Sequence, residues 1–496
     1  MDGSASSVFS RIAGTRTFSP PIPSSTNVIL HWHRRDLRGR DNRGLARAAD
    51  GDPIVPCFVL DPTVLEHASP IRVHCLLEAL AGLRSWYRDR GSDLLVGRGE
   101  ASAVIRDFAA TYDASTVVWN ADYSGLARDR DRAVTAALED DGIEVETAHD
   151  AVHHEPGSIT PAQGDHYSVF SYFWTKWQDR EKAAPIDPPA EADLAAVSGE
   201  GLPSVDDLGF DDPEASPPTV TQERGRERLT EFCSGPIYRY ADERDYPAAD
   251  ATSRLSPHLK WGTIGPRTVY AATERAADRA DAPSERASVE AFRRQLAWRE
   301  FYAHVLAYNP EIVVENFSGY EFEIPWRNDP DELAAWKAGE TGYPIVDAGM
   351  RQLCKEGWVH NRVRMIVASF LTKDLLIDWR TGYDWYRRKL ADHETANDVG
   401  GWQWAASTGM DAQPYFRVFN PMKQGRDYDP DAEYVKTYVP ELADASPAEI
   451  HDWDEHGPAD RERIAPAYPA PIVDHADRRE RAIEAFERAR GGDQEQ

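Results

Sequence analysis

Eight of the fifteen tryptophans lie between Gln295 and Gly409, mixed with arginine, asparagine, histidine and carboxylates in QLAWREF (295–301), GWVHNRVRMIVASF (357–370) and GGWQWAASTG (400–409). Indole faces stack on flat rings, guanidinium groups hold phosphate, and neighbouring indoles relay electrons. A chain that gathers all three reads as a cofactor enzyme rather than a scaffold.

In QLAWREF, Gln295, Trp298 and Arg299 stand at helical spacing and share one face. That face offers an amide for a base edge, a ring for stacking and a cation for phosphate. The same spacing would serve a core helix in which Arg299 pairs with Glu300. In HNRVRM (360–365), Asn361, Arg364 and Met365 fall within little more than one turn. A partly buried arginine keeps its charge and needs an anion. That anion is either a ligand or one of Asp392, Glu394 and Asp398 in LADHETANDVGGWQW (390–404). A flavin suits these groups, because its diphosphate and carbonyl oxygens need donors and its ring N–H needs an acceptor.

ATSRLSPHLKWGTIG (251–265) sets Thr252, Ser253 and Ser256 before an apolar turn, where hydroxyls and backbone N–H groups cap a helix or hold a diphosphate. An aspartate pair for general acid–base hydrolysis would lack a companion nucleophile or metal cluster. Trp326, Trp379 and Trp402 sit on separate segments, as core side chains or as a conducting chain from a buried cofactor to solvent.

The elements that must position these groups follow from periodicity. Short apolar strands, NVILHW (27–32), PIVPCFVL (53–60), DLLVG (93–97), STVVW (115–119) and IEVET (143–147), alternate with helical stretches at about 71–90, 101–112 and 126–140. This predicts an α/β domain with a parallel sheet over 28–154. It lacks both GxGxxG and GxxxxGK[ST], so no phosphate-binding turn is labelled. Residues 155–225 are rich in Pro, Glu, Asp and Gly and read as a long connector without a catalytic role, carrying a helix-like aromatic patch at 167–180. From about Glu223 the apolar spacing is helical, which predicts an all-α domain over 226–485. Residues 1–27, rich in Ser, Thr and Pro, read as a flexible extension and not as a signal peptide or membrane span.

Net charge is −28, with nine lysines against 47 arginines. An acidic surface suits a cytosol of high ionic strength, where the Debye length shrinks to about 3 Å at 1 M salt, and it predicts a salt-loving host. An ordinary acidic enzyme is the alternative. Residues 351–390 run against the average, with nine Arg/Lys and four Asp/Glu, a patch able to focus a phosphate backbone on one site. Four dispersed cysteines, without CxxC or a histidine pattern, point to a reducing cytoplasm and to no structural metal.

Taken in order, HWHRRDLR (31–38), TSRLSPHL (252–259), WREFY (298–302), AGETGYPIVDAGMRQL (338–353), WVHNRVRM (358–365), KDLLIDWR (373–380) and GGWQWAASTGMDAQPYFRVFNP (400–421) resemble the photolyase/cryptochrome family. The similarity is greatest to the branch that repairs cyclobutane pyrimidine dimers. The resemblance implies an α/β antenna domain joined by the connector to a helical FAD-binding domain. It also implies light-driven electron transfer from reduced FAD to a dimer flipped out of damaged DNA, a carbon–carbon lyase reaction. It places Tyr240, Thr252, Ser253, Leu255 and Ser256 at the flavin diphosphate side. Arg299, Asn361 and Arg364 complete the pocket, with Asp392 and Glu394 near the isoalloxazine and ribityl end. Trp298 and Trp404 wall the lesion slot beside Met365, Arg244 and Arg362 face DNA phosphate, and Trp402, Trp379 and Trp326 form the photoreduction chain in that order outward.

Two positions depart from the repair branch. Gln295 replaces a glutamate that contacts the lesion; an amide donates a hydrogen bond but supplies no carboxylate. Asp398 replaces an asparagine opposite flavin N5, and an aspartate there resembles plant blue-light receptors. A cryptochrome-like photoreceptor is therefore the alternative, although HNRVRM keeps the dimer-repair pattern. The α/β crevice could hold a second antenna chromophore, deazaflavin or folate, and a deazaflavin would match an archaeal host. The expected partner is UV-damaged DNA, with no membrane, and the chain is expected to be a cytoplasmic monomer.

Overall fold

The computed structural model describes residues 27–49 and 51–491. The expected N-terminal extension lies, apart from Asn27, outside the described residues. Five strands, β1 (Val28–His33), β2 (Ile54–Leu60), β3 (Leu95–Arg98), β4 (Ala114–Asn120) and β5 (Glu144–Ala148), form one parallel sheet in the order β3-β2-β1-β4-β5. β2 is buried along its whole length, as a parallel strand covered on both faces must be. Helices Pro70–Arg88, Ala101–Tyr112 and Gly125–Asp140 cover the faces. Leu76, Leu80 and Leu83 pack on one side, and Ile105, Val134 and Leu138 pack on Trp32 and Trp119 on the other. The strand order reverses between β1 and β4, so their carboxyl ends open a crevice of the kind that holds ligands.

The connector is more structured than its composition suggests. Its helix Phe170–Asp179 buries Phe170, Phe173 and Trp177 in the same core as Phe301 and Val305 of the long helix Pro283–Tyr308. Further on, Leu194 bridges to Ile54, Ala195 N–H donates to the Ile54 carbonyl at 2.9 Å, and Ser216 N–H donates to the Lys355 carbonyl at 2.9 Å. The segment thereby touches both domains.

The remainder is helical. Proline opens many of its helices, including Pro283–Tyr308, Pro330–Ala338, Pro344–Glu356 and Pro421–Tyr428, where its fixed φ matches the first helical position and its missing N–H costs nothing. Asn361–Ser369, Trp379–Lys389 and Thr395–Ala406 pack around the cavity described below. Gly382 allows this packing, since a Cβ there would overlap the Trp402 ring.

The two domains meet through buried charge. Arg267, fully buried, donates through Nε to Asp41 Oδ1 at 2.6 Å and through Nη2 to Asp150 Oδ1 at 2.5 Å. Arg38 pairs with the other Asp150 oxygen and donates to the Gly262 carbonyl at 3.0 Å. Leu37 N–H donates to the Trp261 carbonyl at 3.1 Å. Breaking a buried pair from one side strands the other charge at a cost of about 3–5 kcal/mol. Arg267→Met should therefore lower unfolding free energy by about that amount in denaturant titration. Arg106→Ala, which removes an exposed pair with Asp141, should leave it nearly unchanged, because water already screens those charges.

Candidate active site

Helical spacing brings the first group together. Gln295, Trp298 and Arg299 all reach one cavity of about 540 Å³, within the range of cofactor sites. Asn361, Arg362, Arg364 and Met365 line it from Asn361–Ser369, whose N-cap His360 accepts the Arg362 N–H at 3.2 Å through Nδ1. Tyr240, Arg244, Thr252, Ser253, Leu255 and Ser256 form another wall, and Asp392, Glu394, Asp398, Trp402 and Trp404 close it. Trp379 and Trp326 stand outside.

The loop at 252–256 is locally tense. Ser253 Oγ accepts the Leu255 N–H at 3.3 Å, and Arg254 between them has φ of 49°, in the left-handed region that side chains rarely enter. The Arg254 guanidinium lies 4.5 Å over the Trp358 ring, whose Nε1 donates to Ser256 Oγ at 3.2 Å.

The carboxylates are held by arginines. Arg364 Nη2 donates to both Asp392 oxygens, at 3.0 and 2.8 Å, and Nη1 lies 3.6 Å from Asp398 Oδ1. Asp398 Oδ2 accepts the Glu394 N–H at 3.0 Å and lies 2.6 Å from His393 Nδ1. Burial holds His393 below the ordinary histidine range despite that carboxylate. Glu394 Oε1 meets Arg299 Nη2 at 3.0 Å and also Arg35 from the α/β domain, while Asn397 donates to Oε2 at 2.7 Å. Burial alone would raise the Glu394 carboxyl, but Arg299 and Arg35 outweigh it and bring it from 4.5 to about 2.

Other expected residues sit less simply. Arg362 is paired with Asp245 at 3.0 Å and lies 4.3 Å over Tyr428, so its charge is already partly met within the protein. Gln295 Nε2 reaches the Ala291 carbonyl of its own helix at 3.5 Å. The rings in contact with Trp402 are Trp336, at 6.2 Å between centroids, and Tyr386, at 5.0 Å. Trp379 is fully buried, donates to Asn316 Oδ1 at 2.9 Å and meets Tyr383 edge-on, whereas Trp326 packs on Phe486 at 5.9 Å.

The cavity is also lined by Asp245, Arg254, Tyr302, Trp358, Tyr386 and Asn397, which the reading of the chain had not singled out as site residues. Arg254, Tyr302, Trp358 and Asn397 lie inside the motif runs and carry a usable signal. Asp245 and Tyr386 reach the cavity only through folding.

The family model described as DNA photolyase matches residues 29–192, and the one described as FAD binding domain of DNA photolyase matches 292–488. A deoxyribodipyrimidine photo-lyase of Halobacterium salinarum is 59% identical over 477 residues, covering 93% of this chain and 99% of that protein. A class III photolyase structure from Agrobacterium tumefaciens superposes with TM-score 0.86 at 35% identity, covering 97% of this chain and 100% of that one. An archaeal photolyase from Sulfolobus tokodaii, solved with two FAD molecules, superposes with TM-score 0.76 at 31% identity, covering 93% and 100%.

Because the folded-state Glu394 carboxyl lies below its unfolded value, its stabilisation is present above pH 4.5 and is lost as pH falls toward 2. The linked free energy is on the order of 3 kcal/mol. Glu394→Gln should flatten the acid limb of the stability curve by close to one proton between those pH values, measured as unfolding free energy against pH.

Proposed function

Because the chain belongs to the DNA photolyase family, we infer that it is a deoxyribodipyrimidine photo-lyase, which splits cyclobutane pyrimidine dimers in DNA using light. The observation that carries this reading is the single cavity onto which motifs scattered from Tyr240 to Trp404 converge, in a chain 59% identical to such an enzyme over 93% of its length. The high identity to repair enzymes favours this reading over a photoreceptor despite Gln295 and Asp398.

FAD fits these residues. Arg299 Nε and Trp402 Nε1 are buried donors without a protein partner, and buried donors in native proteins are ordinarily satisfied. Thr252 and Ser256 add hydroxyls at the wall where the diphosphate would lie. Arg299, Asn361 and Arg364 would complete the pocket, with Asp392, Glu394 and Asp398 accepting or repelling according to the ring atom they meet. When bound and reduced, FAD supplies the light-absorbing group and the electron that opens the cyclobutane ring and is afterwards recovered.

The chain's own work is positioning. Trp298 and Trp404 offer aromatic faces to a flipped-out pyrimidine pair, and unstacking is least costly at a damaged site. Met365 packs beside them, and the Gln295 amide donates toward base carbonyls in place of a carboxylate. Arg244 and Arg362 meet the phosphates, a local attraction needed on a chain of net charge −28. Trp402, Trp379 and Trp326 carry electrons inward from solvent. Arg364 and the Glu394 N–H hold the Asp398 carboxylate in place.

A second light-harvesting chromophore, deazaflavin or folate, would sit in the crevice of the parallel sheet; the Sulfolobus tokodaii structure with two FAD molecules supports a second chromophore in this fold. Among the described residues no helix is long and apolar enough to cross a membrane.

Purified protein carrying reduced flavin should restore the near-ultraviolet base absorbance of a thymine-dimer oligonucleotide under blue light in molar salt, and not in the dark. Absence of recovery from protein with bound, reduced flavin would overturn the repair assignment and restore the photoreceptor.

A further inference from the structure

The connector contributes a side chain that backs the Trp298 ring from outside the cavity. Phe170, at the first position of the helix Phe170–Asp179 and 1% exposed, lies face to face with Trp298 at 3.7 Å between centroids and 9° between planes. Such close parallel overlap is unusual in this protein. The other neighbours of Trp298 are edge-on or tilted, Phe301 at 5.6 Å and 85° and Tyr302 at 5.5 Å and 33°. Tyr302 in turn is pressed against the Gly400 backbone, where a Cβ would overlap its ring. The indole is thus supported by Tyr302 on one flank and Phe301 edge-on, while Phe170 covers one whole face.

Phe170 is itself fixed from two sides. Its N–H donates to Asp411 Oδ2 at 3.3 Å, and Asp411 holds φ of 45° on a segment seven residues beyond the cavity residue Trp404. The Arg294 guanidinium, one residue before Gln295, lies 5.3 Å over the Phe170 ring. The Phe170 ring thus meets both a cation and the indole of Trp298, which lines the cavity.

We propose that Phe170 is a positioning residue for substrate: it fixes the plane of Trp298 so that the indole meets a flipped pyrimidine pair without first having to be ordered. This rests on Trp298 being a wall of the lesion slot. A side chain held in one rotamer before binding loses no conformational freedom on binding, and such preorganisation raises affinity without any new contact. The effect falls on damaged-DNA binding and not on the photochemical step, because Phe170 does not line the cavity.

The test compares flavin-loaded Phe170→Leu, Phe170→Ala, Phe170→Tyr, Trp298→Ala and the double variant Phe170→Leu/Trp298→Ala. Flavin content and near-ultraviolet circular dichroism report folding; Leu keeps apolar volume if Ala fails to fold. Affinity is measured for a thymine-dimer oligonucleotide and for the undamaged strand. Replacing an aromatic pair by Leu should weaken lesion affinity about two- to tenfold. Undamaged affinity and the light-saturated rate on bound lesion should stay within about twofold, Phe170→Tyr should bind as wild type, and Phe170→Leu should add nothing once Trp298 is Ala. If Phe170→Leu binds the lesion as wild type while Trp298→Ala loses affinity, or if the two losses add, Phe170 is only core. If Trp298→Ala binds the lesion normally, the slot reading fails instead.

Discussion

A guanidinium with no solvent contact must be neutralised by protein, and Arg267 takes Asp41 and Asp150 from the α/β domain for that purpose. Removing these ions from water costs several kcal/mol each before their mutual attraction repays it, so the arrangement persists only with every partner in place. From it the cavity follows. Asp150 leads directly to Ala151, whose carbonyl accepts from Arg299 Nη1 at 2.6 Å, and to His153 and His154, whose N–H groups donate to Glu300 at 2.7 and 2.9 Å. Arg299 then reaches Glu394 with its other nitrogen. Three successive residues of one helix, Trp298, Arg299 and Glu300, each hold something from the other domain or the connector, so the wall of the cavity is an extension of the domain seam.

Much of this was legible because it is local. The parallel strands announce themselves as apolar runs bounded by turn residues, and the shared face of Gln295, Trp298 and Arg299 follows from helical period alone. That Arg364 would need an acid was also readable, and Asp392 and Asp398 supply it. What escaped is pairing across long sequence separation. Nothing in HNRVRM indicates that Arg362 meets Asp245, and nothing in HWHRRDLR indicates that Arg35 meets Glu394, more than three hundred residues away. The connector escaped for a different reason. Its Pro and Asp content marks a path over a surface, and although the aromatic patch at 167–180 reads as a helix, nothing local indicates that Phe170, Phe173 and Trp177 are buried against Phe301 and Val305.

The preference for arginine over lysine has a structural counterpart. Arg34, Arg38, Arg72, Arg84 and Arg267 are all buried, whereas Lys373 is the only buried lysine among the described residues. Arg84 engages both oxygens of Asp93, at 2.7 and 3.0 Å. A planar fork matches both oxygens of a carboxylate at once, whereas an ammonium acts as a compact point charge on a flexible stem. The same acids that make the chain negative thus serve partly as interior counter-ions, and the net charge overstates how many of them face solvent alone.

At Gly262 the backbones of the two domains lie directly against each other. With φ of 65°, this glycine leaves no room for a Cβ against the Arg35 carbonyl and Asp36. Backbone lies on backbone there, without the side chains that would allow sliding or rolling. Were a second light-absorbing group bound in the sheet crevice, as proposed above, it and the one in the helical cavity would keep one separation and one angle between their transition dipoles. Resonance energy transfer depends steeply on both, so its efficiency would be a fixed geometric property of the fold rather than an average over domain motion.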